Sequence, residues 1–172
     1  MGRNRVHELN REHVAAPVAD ALGGLRLELW KRLRTTLGGW NPKPVYGCVF
    51  GSAARGDGGT RSDIDVLLVR LPVIDEIDPR RDSADLAELS VTYPGEIVAG
   101  QLTERQAAKW GRQVARLHEL VPAWTGNPLQ LVEMSTFQWS DHRRRRTGLF
   151  AEIDRHAIQL TGSLGRLPRA RQ

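Results

Sequence analysis

Two carboxylates stand two residues apart in this chain, Asp63 and Asp65, at the head of the apolar run Ile64-Asp65-Val66-Leu67-Leu68-Val69. In an extended strand residues i and i+2 project to the same face, about 6–7 Å apart at the backbone. Two carboxylates held that close repel each other unless a cation lies between them. Hard oxygen ligands of this kind suit Mg²⁺ in the company of a phosphate substrate. Two such ions about 3.5–4 Å apart activate an attacking oxygen and stabilise a leaving pyrophosphate. Upstream stands Gly51-Ser52. Glycine admits a phosphate close to the backbone. The serine offers a hydroxyl and an N–H at an expected helix start, where anions are favoured.

The elements that must position these groups are legible around them. Val45 to Phe50 reads as a first strand that runs into Gly51, and Ile64 to Val69 as a second. The second is aliphatic throughout, as a strand buried on both faces would be. The spacing predicts a glycine-rich turn between the two.

Gly51-Ser52, ten intervening residues and then Asp63-Ile64-Asp65 form a pattern that resembles the signature of the DNA polymerase β-like nucleotidyltransferase superfamily. Ala54-Arg55-Gly56 and Ser62-Asp63-Ile64-Asp65 are similar to its minimal nucleotidyltransferase branch. The resemblance implies an α/β (α+β) nucleotidyltransferase fold, with a small mixed sheet, helices packed on it and a helix ahead of it. It implies Mg²⁺ held by Asp63 and Asp65, with Gly51, Ser52, Arg55 and Ser62 on the nucleoside triphosphate. It also implies a third carboxylate on a later strand beside the Asp-x-Asp strand. The matching stretch is Leu129-Gln130-Leu131-Val132-Glu133-Met134, and the natural register places Gln130 where the acid belongs. A glutamine brings a carbonyl oxygen but no charge and no base. Glu133 is three residues on and points to the opposite face unless the strand bulges.

The chain has 172 residues and a net charge of +5, enough for one compact domain and favourable to anionic partners. Its single cysteine, Cys48, falls inside the first strand and reads as a small buried apolar residue. With no disulfide framework, no signal peptide and no apolar run of membrane-spanning length, a cytoplasmic protein without a membrane partner is expected. Residues 1–40 read as a basic strand and a helix, 41–162 as the nucleotidyltransferase domain and 163–172 as a loose basic tail.

Arg5 to Leu9 reads as a short strand and Asn10 as the cap of a helix whose apolar stripe runs through Val14, Val18, Leu22, Leu25, Leu29 and Leu33, divided at Pro17. The expected role of this helix is packing on the domain. A second reading rests on Arg3 to Asn10, which resembles the last wing strand of a winged helix found ahead of some bacterial nucleotidyltransferase domains. Residues 75–85 read as a charged solvated loop, Ser83 to Leu89 as a short helix, Tyr93-Pro94-Gly95 as a turn and Glu96 to Gly100 as an edge strand. Thr103-Glu104-Arg105-Gln106 has capping-box form and opens an amphipathic helix through Trp110 and Leu117, stopped by Pro122, with close packing at Gly111. Trp110 and Trp124 read as packing residues, and His118 as structural. Ser135-Thr136-Phe137-Gln138 opens a further helix carrying Arg143 to Arg146, a mostly solvated surface, and continuing to His156. A last strand is expected over Ala157 to Leu160.

Two functions fit these residues. One is an enzyme that moves a nucleoside monophosphate from a nucleoside triphosphate to a hydroxyl, on a protein such as a HEPN-type ribonuclease toxin or on a small molecule such as an aminoglycoside. The other is a binding module that has lost catalysis with its third acid and acts as an antitoxin or a regulator. Neither needs DNA. The positive charge supplies phosphate contacts without a complete recognition motif. We expect duplex DNA to bind weakly and without sequence preference. Sub-micromolar, sequence-selective binding in an electrophoretic shift at physiological salt would contradict this.

Overall fold

The computed structural model of the chain describes residues 9–59, 62–76, 101–145 and 148–163. It contains a four-stranded mixed sheet with helices on both faces and a long helix ahead of it. Strands β1 (Tyr46–Phe50) and β2 (Ile64–Arg70) form its centre, with β3 (Leu129–Ser135) and β4 (Ile158–Gly162) at the edges in the order β3-β2-β1-β4. β1 runs antiparallel to β2 and β4, and β2 runs parallel to β3. A parallel neighbour requires a crossover. That crossover contains helix α3 (Glu104–Thr125).

The central strands read as continuous apolar runs because both their faces are covered. On one face Tyr46, Cys48, Leu67 and Val69 meet Trp139 of α4 (Thr136–Arg144) and Phe150 of α5 (Gly148–His156). On the other, Val49, Val66 and Leu68 meet Trp30, Leu33 and Leu37 of α1 (Ala16–Gly38) and Trp110, Leu117 and Val121 of α3. Trp40 stands edge-on to Trp110 with ring centroids 5.1 Å apart, and Trp139 edge-on to Phe150 at 4.6 Å. Cys48 is buried and free. Gln113 of α3 accepts the Asn41 N–H at 2.8 Å and donates to the Pro42 carbonyl at 3.3 Å, anchoring the segment that enters β1.

Both capping boxes are present, Thr103 with Gln106 and Ser135 with Gln138. Three helical expectations are corrected. α3 does not stop at Pro122 but runs on to Thr125, where Gly126 in the left-handed region closes it. Gly111 is not a close contact, since a Cβ there would meet nothing within 4 Å. The helix over Arg143 is interrupted after Arg144 instead of continuing to His156. Arg143 pairs with Asp154 and Arg145 with Asp141, so these arginines decorate a solvated surface. Trp124 is half-buried beneath the Arg32 guanidinium, and His118 is exposed. The expectations for residues 1–8, 77–100 and 164–172 lie outside the described residues. Among the described residues no helix is long and apolar enough to cross a membrane.

The stripe on α1 divides in a way its sequence does not show. Asn10 accepts the Glu12 N–H in a turn, and the helix begins later, with Pro17 in its first turn. Trp30, Leu33 and Leu37 are buried, yet Val14, Val18, Leu22 and Leu25 are exposed, Val14 to 92%. The reason is length. A 23-residue helix extends about 34 Å, whereas strands of five to seven residues span about 17–24 Å. The first half of α1 therefore overhangs the sheet. We expect Leu33→Ala, at a fully buried site, to destabilise the protein by about 2–5 kcal/mol. Leu22→Ala, 63% exposed on the same stripe, should change stability by less than about 0.5 kcal/mol in denaturant unfolding.

Candidate functional site

The site is built where β1 ends. The chain leaves Phe50 through Gly51 at φ +67°, a conformation that side chains rarely adopt. It makes the short helix α2 (Gly51–Arg55) and closes it on Gly56 in the left-handed region, with the Gly56 and Asp57 N–H groups donating to the Ser52 carbonyl. The return path is pinned at Ser62, whose hydroxyl accepts the Gly59 N–H at 2.9 Å and whose carbonyl accepts Asn127 Nδ2 at 2.6 Å. The Ile64 N–H donates to the Pro128 carbonyl. Ser62, expected on the nucleotide, is thus engaged in shaping the turn.

Asp63 is exposed and Asp65 half-buried at the head of β2. A Cβ added to Gly51 would fall on the Asp65 carboxylate oxygen, so the turn and the strand meet at a point where only glycine fits. Burial raises the Asp65 pKa above the ordinary carboxylate value, the Asp63 charge raises it further, and Arg55 opposes both. The Asp63 charge is thus felt at Asp65.

Arg55, also expected on the nucleotide, is spoken for. Its Nε meets Asp57 Oδ2 at 3.0 Å and its Nη1 binds Glu152 of α5. Hydrogen bonding to Arg55 holds the Asp57 carboxyl below its usual range, and His156 Nδ1 lies 3.6 Å from Glu152 Oε2. This cluster joins the motif turn to α5.

Gln130 is the parallel-strand partner of Asp65. Paired residues share a face, so its exposed amide stands beside Asp65 where the third acid was expected. Glu133 pairs with Leu68, on the face that carries α1 and α3. There it accepts from Arg70 Nε at 2.9 Å, and Arg70 also binds both Glu76 oxygens at 2.8 Å. Burial alone would raise the Glu76 pKa, but the Arg70 hydrogen bonds, the Val73 N–H bond and the Arg70 charge together outweigh it and hold the carboxyl low. Glu76, read in sequence as part of a solvated loop, is instead one arm of this buried-side triad.

Among the described residues no three His, Cys, Asp or Glu side chains gather into a metal site. The donors present fit a hard cation through two carboxylates and one amide oxygen. Magnesium sites are commonly completed in this way by substrate phosphates and water.

A cavity of about 350 Å³ opens beside the turn. Its walls include Ser52, Asp63 and Asn127, and also Arg26, Leu29 and Trp30 from α1. Sequence reasoning missed the α1 wall. Arg26 lies some thirty residues from the motif, and only the packing of α1 brings it there.

The raised Asp65 pKa has a consequence for stability. A carboxyl whose folded pKa lies above its unfolded value binds protons more readily when folded. Its contribution is fully present below the unfolded pKa and is lost as pH rises through the folded one. Asp65→Asn should therefore raise the melting temperature at pH 7 without divalent cations. The gain should vanish as pH falls below the ordinary carboxylate range. Melting curves showing the same gain at acid and neutral pH would contradict this origin.

Compared with known proteins, the chain matches no family model, no curated protein and no solved structure.

Proposed function

We propose that this chain is a Mg²⁺-dependent nucleotidyltransferase that moves a nucleoside monophosphate from a nucleoside triphosphate to a hydroxyl acceptor, slowly for want of a third acid. The observation that carries the reading is the Asp65 carboxylate packed against Gly51, with Asp63 two residues before it on the wall of a nucleotide-sized cavity. Asp63, Asp65 and the Gln130 amide would hold the ion. Its chemistry there is neutralisation of phosphate charge as pyrophosphate departs. Ser52 and the glycine turn would receive the phosphates. The acceptor oxygen forms a bond to the α-phosphorus, and the bond from that phosphorus to the bridging oxygen breaks. Pyrophosphate leaves with the electron pair. With glutamine at position 130 the acceptor proton passes to solvent, without the about 10²–10⁴-fold help a positioned base supplies. The resemblance to the minimal branch suggests an acceptor on a protein, a HEPN-type toxin being the family precedent.

Gln130 beside Asp65 also favours a second reading, a module that binds Mg²⁺–nucleotide or a protein partner without chemistry. Purified protein incubated with labelled nucleoside triphosphates, Mg²⁺ and cell lysate separates the two. Transfer of label to an acceptor, lost in Asp63→Asn/Asp65→Asn, supports the enzyme. Gln130→Asp should then raise transfer, while Glu133→Gln should lower thermal stability through Arg70 and leave transfer per folded molecule unchanged. Nucleotide binding without transfer, even in Gln130→Asp, would favour the module. Absence of both binding and transfer would overturn both readings.

A further inference from the structure

We propose that Arg26 of α1 is the cation that holds the polyphosphate of the bound nucleotide, a role that the engaged Arg55 leaves open. The inference rests on the nucleotide-binding reading above and adds a residue outside the resemblance.

The first ground is charge. Asp63 and Asp65 bring two negative charges to the turn. Arg55 of α2 is shared between Asp57 and Glu152, so it offers a triphosphate little net attraction. A polyphosphate needs positive charge beyond the metal, and arginine supplies it in forked form.

The second ground is position. A Cβ on Gly56 would fall on Arg26 Nη1, so the guanidinium rests on the backbone of the turn. In the same turn a Cβ on Gly58 would lie 3.2 Å from Ser52 Oγ. Arg26 and Ser52 therefore both lie against the turn, and both line the cavity that reaches Asp63.

The third ground is availability. The neighbouring carboxylate on α1, Glu28, is engaged by Lys31 and Arg32. Among the described residues Arg26 makes no ion pair or hydrogen bond. Among the described residues that line the cavity it is the one cation. The side chain is exposed, so it can turn from its rest over Gly56 toward a phosphate without unpacking α1, which is anchored by Trp30, Leu33 and Leu37.

The test is calorimetric titration of the full chain with ATP, GTP, CTP and UTP, each with Mg²⁺, and with the matching monophosphates. Arg26→Ala should weaken the tightest-binding triphosphate about tenfold, the loss of one charge-assisted contact. It should also shrink the preference for triphosphate over monophosphate, with an unchanged melting temperature. Arg26→Lys should recover part of the loss. Arg116→Ala, which removes an equal charge from an exposed pair on α3, should leave binding as it is. If wild type binds and Asp63→Asn/Asp65→Asn does not, but Arg26→Ala retains affinity and triphosphate preference, the role of Arg26 is overturned and the nucleotide reading stands. An equal loss for mono- and triphosphate would likewise overturn the polyphosphate assignment. If the wild type binds no triphosphate, the nucleotide reading falls, and this inference with it.

Discussion

The contact between the Asp65 carboxylate and the bare Cα of Gly51 is the constraint on which the rest of the site depends. It brings the first residue after β1 against the head of β2, and so brings a charged strand end against a phosphate-sized turn. Any side chain at position 51 would displace the carboxylate, and the positive φ that Gly51 adopts would strain any other residue. The antiparallel pairing of Phe50 with Asp65 enforces the approach, because two central strands buried on both faces have little freedom to slide.

Electrostatics divides the sheet into two sides with different work. On the side of α4 and α5, Asp65 and Gln130 stand together at the sheet end, and Arg55 ties the turn to Glu152. On the side of α1 and α3, Arg70 gathers Glu76 and Glu133 into a triad with a largely buried guanidinium. Breaking such a triad by removing one partner leaves an uncompensated charge. Glu133 therefore belongs to the framework that holds β2 and β3 in register rather than to the aspartate pair. Asp63 and Asp65 repel each other and are not neutralised by Arg55, which leaves a deficit of positive charge suited to a cation.

α1 joins these two descriptions. Its second half is a core element, with Leu33 and Leu37 fully buried. Its first half outruns the sheet, leaving Val18, Leu22 and Leu25 exposed, with Arg26 and Leu29 over the cavity. One helix thus closes the hydrophobic core at one end and supplies a wall of the candidate site at the other.

Much of this was legible in the sequence because it depends on local pattern. The Gly51-Ser52 turn, Asp65 at the head of β2 and both capping boxes follow from spacing and backbone chemistry within a few residues. The placement of Gln130 beside Asp65, and of Glu133 on the opposite face, follows from the period-two alternation of a strand in its natural register. Tertiary structure alone decided the rest. The apolar stripe of α1 has the same periodicity in its buried and exposed halves, so only the length of the sheet beneath it determines where burial stops. Whether Arg55 is free depends on Glu152, nearly a hundred residues away, and whether Arg26 faces the turn depends on how α1 crosses it. Charges act through space, and no local pattern in the chain records which of them will become neighbours.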